Sequence, residues 1–223
     1  MRRIFLDVGA NTGQTLAAVI DPEFHFDRII CFEPVQSCWK KLLRIADAQH
    51  NSECERITHP NSLHPCACKK TVEIVPFGLW NQNCERPIYG PGNAGASLWK
   101  KNDHRKWKPT AICKFRRATD WFQENIEAGD IVFLKLNCEG AECDILDDLL
   151  DSGEFAKVSF AMIDFDVRKI ASQKHREAEI RARLESEGLR FPRVAFSKDV
   201  MIGATHAARI RNWLNLVLSA EHE

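Results

Sequence analysis

Two kinds of hydrophobic pattern alternate along the chain. Short runs rich in β-branched and aromatic residues occur at 3–8 (RIFLDV), 28–33 (RIICFE), 71–77, 131–137 (IVFLKLN) and 157–165, and each reads as a strand. Between them, apolar residues fall at i, i+3 and i+4, the spacing of a helix with one buried face. Leu16, Val19 and Ile20 predict a helix capped near Asn11 or Thr12, and Trp39, Leu42, Leu43 and Ala46 predict another over 36–47. Ile145, Leu146, Leu149 and Leu150 mark a helix that stops at Gly153. Further helices are predicted at 119–127, at 172–187 before Gly188, and at the end, where Ile210, Trp213, Leu214, Val217 and Leu218 share a stripe.

Strands alternating with helices predict an α/β domain, built on a mainly parallel sheet with helices on both faces. The unbroken apolar character of 28–33 agrees, since a strand covered on both sides needs no polar face. Shorter extended pieces at 86–90 and 112–117 bracket a Gly/Asn-rich loop over 90–111. Segments 190–196 and 199–204 lie close enough in sequence to pair antiparallel as a terminal hairpin. Residues 48–70 are polar with two prolines, and read as a long loop. Neither an internal repeat nor a linker interrupts the chain, so 1–223 is expected to be one domain.

Composition narrows the function classes. Thirty-one basic residues balance thirty-one acidic ones, so no global field points to nucleic acid or an anionic membrane. Apolar runs fall short of the ~20 residues a membrane helix needs, and MRRIF opens no secretory leader; a cytoplasmic protein is the expectation. Nine cysteines do not form a framework of the small secreted kind. Cys54, His59, His64, Cys66 and Cys68 crowd the 50–70 loop, but their spacing matches no CxxC-type zinc pattern, and no metal is predicted.

The first strand runs into a turn, FLDVGANTGQTL, where Gly9 and Gly13 flank the point at which a helix begins. Ligands of open parallel sheets bind beyond the carboxyl ends of the strands, and glycine lets the backbone come close to them. G-x-x-x-G lacks the spacing of a dinucleotide fingerprint. Glu33 ends the second strand just before Pro34, where an acid can accept hydrogen bonds from both hydroxyls of a ribose. A nucleoside cofactor without a diphosphate meets both conditions, and S-adenosylmethionine is one.

FLDVGANTGQTL, CFEP, PFGLWN, GASL and FLKLNCEGAECDIL resemble, in this order, the motifs of FkbM-type S-adenosylmethionine-dependent methyltransferases over about residues 4–150. The resemblance implies a Rossmann-like class I methyltransferase with a seven-stranded sheet whose last strand is antiparallel. It also implies O-methylation, commonly of a sugar or polyketide hydroxyl. Asp7, Gly9, Asn11 and Gly13, with Ala10 and Thr12 in the same turn, would hold the methionine end; Glu33, beside Pro34, would hold the ribose. Asn81, after Trp80, replaces an aspartate that contacts the adenine amino group, and an amide oxygen can still accept that bond. Asn137 replaces the aspartate of the family's K-I-D-V-E-G, while Ser97 matches a serine near the cofactor.

Methylating an alcohol requires alignment with the departing sulfur and removal of a proton. Glu139, Asp164, Asp166 and His104 are the candidate bases, and the two aspartates share a face if their strand stays extended. Lys135 is unusual in a buried strand and should pair with an acid such as Glu139 or Asp164. The acceptor would lie against the 90–111 loop, where Trp99 and Trp107 can stack on a sugar ring. A free sugar, nucleotide-sugar or polysaccharide is the expected partner. Two alternatives stay open: an RNA 2′-O-methyltransferase using the basic 100–117 stretch, and a cofactor-binding module without turnover.

Overall fold

A computed structural model describes residues 1–53, 71–90, 96–99, 109–200, 203 and 205–220. Strands β1 (Arg3–Val8), β2 (Arg28–Phe32), β3 (Thr71–Val75), β7 (Ile131–Leu136), β8 (Val158–Ile163) and β9 (Val194–Phe196) form a six-stranded sheet in the order β3-β2-β1-β7-β8-β9. Every pairing in it is parallel, which makes this a Rossmann-like α/β fold. The order reverses between β1 and β7, so a crevice opens where their carboxyl ends diverge.

Alternating side chains of these strands feed two cores. Ile4, Leu6, Val8, Leu134 and Leu136 pack under helices α3 (Ala118–Asn125), α4 (Glu142–Asp151) and α5 (Arg176–Ser186). Phe5, Cys31, Phe133 and Met162 face the other way, against α1 (Gln14–Val19) and α7 (His206–Ala220). There Trp213 is fully buried with its ring 6.3 Å from Phe5, edge to face. Asp7 and Lys135 share the parity of Phe5 and Phe133 and therefore lie on the α1/α7 side.

A second sheet was not evident in the sequence pattern. β4 (Gly78–Trp80) pairs parallel with the end of β6 (Pro109–Arg117), and β5 (Cys84–Tyr89) pairs antiparallel with β6, giving the order β4-β6-β5. Its inner residues Leu79, Trp80, Ile88, Cys113 and Phe115 join the core under α3 and α4. Asp148 of α4 fastens this sheet to the body: it accepts from Arg117 Nε (2.7 Å), from Thr119 N (2.8 Å) and from Thr119 Oγ1 (2.8 Å). It thereby caps α3, whose own N-cap residue, Arg117, offers no side-chain bond.

Several expectations are corrected. The terminal hairpin is not seen among the described residues: β9 runs parallel to β8, and Ser197–Val200 is a short helix, α6. Crossover helix α5 returns the chain to the same end of the sheet, which makes β9 parallel. The sheet thus has six strands among the described residues, with no antiparallel last strand. α1 starts at Gln14, with Gly13 at its N-cap in the left-handed region (φ 89°), rather than at Asn11 or Thr12. α2 (Gln36–Glu53) runs beyond 47 into the expected loop, and Leu43 is 49% exposed because it sits about 100° around from buried Leu42. Residues 54–70, with their cysteines and histidines, lie outside the described residues.

Asp148→Ala should remove a buried carboxylate and leave the Thr119 N–H without a partner. The expected loss is about 2–4 kcal/mol, or a Tm lower by roughly 5–10 °C in a thermal melt. Asp151→Ala, at an exposed ion pair with Arg183, should cost under about 1 kcal/mol.

Candidate active site

The crevice at the β1/β7 divergence is a cavity bounded by the two strand-end turns, the start of α1, the end of β2 and the small sheet. Gly9, Ala10, Asn11, Glu33 and Pro34 line one part, and Lys135, Asn137, Cys138 and Glu139 another. Leu79, Ile88, Leu98 and Phe115 give it an apolar wall.

Gly9 is dictated by crowding. It has φ 84°, and a Cβ there would lie 1.9 Å from the carbonyl oxygen of Asn137. Only glycine lets the β1 and β7 turns approach this closely. The N–H groups of Gly9 and Ala10 both reach the carbonyl of Phe32 (3.2 and 3.1 Å), which ties the turn to β2. Asn11 and Glu139, at the cavity's rim, both hold positive φ (48° and 57°), a region that non-glycine residues seldom occupy.

Beneath the turn, Lys135 Nζ lies 2.9 Å from Asp7 Oδ1 and donates to Gly9 O at 3.1 Å. The two residues are register partners on adjacent strands. Both are buried, and Asp7 has no further hydrogen-bond partner among the described residues. Lys135 therefore pairs with Asp7, not with Glu139 or Asp164. Asp7 does not line the cavity; it supports the turn from below.

Glu33 accepts from Asn11 N (2.7 Å) on one oxygen and from Val35 N (2.8 Å) on the other, and Trp39 Nε1 donates to its backbone carbonyl (2.7 Å). Burial pushes its carboxyl above the usual range against the pull of those two N–H groups. Each oxygen keeps a lone pair, and the side chain lines the cavity.

Glu142 organises the turn after β7. Its carboxylate accepts from Cys138 N (2.9 Å) and Gly140 N (3.0 Å), and burial raises its pKa to about 7. Above this turn, Ser97 donates to the Glu139 carbonyl (2.5 Å) and accepts from Trp99 N (3.1 Å). Ser97 is a buried latch, while its neighbours Ala96 and Leu98 meet the cavity.

The other expected site residues fall elsewhere. Trp80 is core: its indole donates to Asp144 Oδ2 at 2.8 Å, and only Gly78 and Leu79 of β4 reach the cavity. Asn81 is exposed and does not line it. Thr12 and Gly13 also stand off the cavity wall; a Cβ on Gly13 would be 2.6 Å from Ile45 of α2. β8 ends at Ile163, so Asp164 and Asp166 do not share an extended face. Asp164 accepts from Asn137 Nδ2 (3.2 Å), Arg168 (3.0 Å) and Ser197 Oγ (2.7 Å). Asp166 is buried and paired with Lys169 at 2.6 Å, and neither aspartate lines the cavity. Glu139 does. His104 and Trp107 lie outside the described residues.

Sequence reasoning missed Gln14, Thr15, Cys38 and His206, all in the cavity wall. Cys38 and His206 could not be found from local pattern, because helix docking alone brings them there. Burial and then Glu33 raise the Cys38 thiol to about 11, so it is no nucleophile at neutral pH. Among the described residues no cluster suits a metal ion, and no helix is long and apolar enough to cross a membrane.

The methyltransferase FkbM domain model matches residues 7–191, which takes in both turns, Glu33 and the small sheet. The chain belongs to that family. A crystal structure of a methyltransferase FkbM from Methylobacillus flagellatus KT is similar at 14% identity and a TM-score of 0.46, covering 81% of this chain and 37% of that one. The FkbM chain described here thus spans little more than a third of that protein's length. No curated protein matches it.

Two measurements follow. Lys135→Met should strand a buried carboxylate and destabilise the FkbM domain by about 3–5 kcal/mol in urea unfolding, and adding Asp7→Asn should recover most of that. Glu142 holds its proton to about pH 7 when folded and to about 4.5 when unfolded. Between those values the unfolded state binds fewer protons, so stability should fall as pH rises through the window, by about 3 kcal/mol at most. Urea unfolding from pH 4.5 to 7.5 should show that slope in the wild type and a flatter one in Glu142→Gln.

Proposed function

We propose that the chain is an S-adenosylmethionine-dependent O-methyltransferase acting on a hydroxyl of a sugar or glycan. Family membership supports methyl transfer, and one observation carries the choice of cofactor. A buried carboxylate, Glu33, stands at the end of β2 with lone pairs left over, at the edge of a cavity with an apolar wall.

These residues fit a sulfonium nucleoside. Glu33 would accept from the ribose diol, Leu79, Ile88 and Phe115 would cover the base, and the Gly9–Asn11 turn would hold the amino-acid end. When bound, S-adenosylmethionine supplies an already activated methyl group. The protein then has to orient an acceptor oxygen, exclude water and take up a proton. Of the expected bases, Glu139 is the described one at the cavity, 3.7 Å from Lys169. Ser97 fixes its backbone and so its approach.

The RNA reading draws little from the described part of the 100–117 stretch. Lys114 stands opposite Glu85, Arg116 pairs with Glu124 at 2.8 Å, and Arg117 with Asp148 at 2.7 Å. These charges are locally balanced, whereas a nucleic-acid groove needs an excess.

Incubation with methyl-labelled S-adenosylmethionine and a panel of glycans and RNAs should place label on a glycan hydroxyl. Label on RNA, or tight cofactor binding with no transfer to any glycan, would contradict the proposal. With the glycan acceptor, Glu139→Gln should lower kcat by roughly 10²-fold or more while changing the Kd for S-adenosylhomocysteine less than about threefold.

A further inference from the structure

Besides its apolar wall, the cavity carries both acceptor and donor side chains. Glu33 marks an acceptor end. Lys135, Thr15 and His206 mark a donor end, on the side where α7 packs on α1. Among the described residues Lys135 has two acceptors, Asp7 and the Gly9 carbonyl, for its three ammonium hydrogens. His206 Nε2 lies 2.9 Å from Thr15 Oγ1, and Thr15 is buried.

A single hydrogen occupies that short contact. If the threonine hydroxyl donates it, the neutral ring carries its own proton on Nδ1. If Nε2–H donates it, the hydroxyl hydrogen remains. Among the described residues, either tautomer keeps one donor without an acceptor, and an imidazolium keeps more. Unspent donors beside a buried ammonium suit a carboxylate, which accepts from several donors at once.

From this arrangement we infer that His206 and Thr15 form a clamp for the carboxylate of an amino-acid-bearing nucleoside. Helix α7 thereby makes the cavity prefer such a ligand to the bare nucleoside. The inference rests on the cavity being the S-adenosylmethionine site. Thr15 lies within the 7–191 family match and His206 beyond it, so the α7 half of the clamp belongs to a part of this chain that the family model does not reach. Burial, then Lys135 of β7 and Arg209 of α7, lower the pKa of His206, while Asp7 of β1 and Asp164 after β8 oppose them. A bound carboxylate adds to the opposing side, so ligand should raise the pKa of the ring.

The test is calorimetry at pH 7 with two probes. S-adenosylhomocysteine carries the amino-acid end; 5′-methylthioadenosine has the same nucleoside and sulfur without it. His206→Ala should weaken S-adenosylhomocysteine roughly 10-fold or more and leave 5′-methylthioadenosine within about twofold. Thr15→Val should act in the same direction, and His206→Gln, which keeps a donor, should recover part of the loss. Thermal melts confirm that each variant is folded, and an NMR titration of the ring should show its pKa rising with S-adenosylhomocysteine. Equal weakening of both ligands, or of neither, overturns the clamp. A wild-type protein that binds neither probe overturns the reading of the cavity itself, and is told apart by that result.

Discussion

Asp7 and Lys135 face each other across the two central strands, and the site is built above their ion pair. Burying both charges is costly unless each meets the other and the remaining donors find acceptors. Lys135 meets that condition by reaching Asp7 and the Gly9 carbonyl together, so one ammonium joins β7, β1 and the turn after β1. The crevice opens where these strands part. Fixing their ends there lets the Gly9 turn and the Asn137 turn touch without closing the space between them.

Upward from that pair, the site is organised by carboxylates that hold the protein's own groups rather than ligand. Glu142 gathers two N–H groups of the turn after β7, Asp148 fastens the start of α3, and Asp164 binds Asn137, Arg168 and Ser197. Glu142 and Asp148 make their turns specific by satisfying backbone N–H groups that would otherwise be buried without partners, and Asp164 ties three side chains together. Glu33 combines both tasks, because it secures Asn11 and Val35 and still faces the cavity. The positive φ of Glu139 is held in the same way, between the Glu142 carboxylate below and the Ser97 hydroxyl above.

Residues set by strand ends were legible in the sequence. Gly9 and Glu33 follow from where an apolar run stops, and the α/β class follows from alternating periods. Residues set by tertiary docking were not. Lys135 had acids nearby in sequence, yet its partner sits across the sheet at the same register. Trp80 stands beside residues that do reach the cavity, but Asp144 of α4 draws its indole into the core. The 190–204 segment has hairpin-like spacing, but a crossover helix makes its strand parallel. His206 carries no local signal and enters the cavity only because α7 packs across α1.

The central claim concerns what the crevice seats, and a crystal structure with S-adenosylhomocysteine tests it most directly. The account predicts the ribose hydroxyls on the Glu33 carboxylate, the adenine against Leu79 and Phe115, and the amino-acid end beside Gly9. A crevice left empty at saturating ligand, or the nucleoside bound with its ribose away from Glu33, would contradict it.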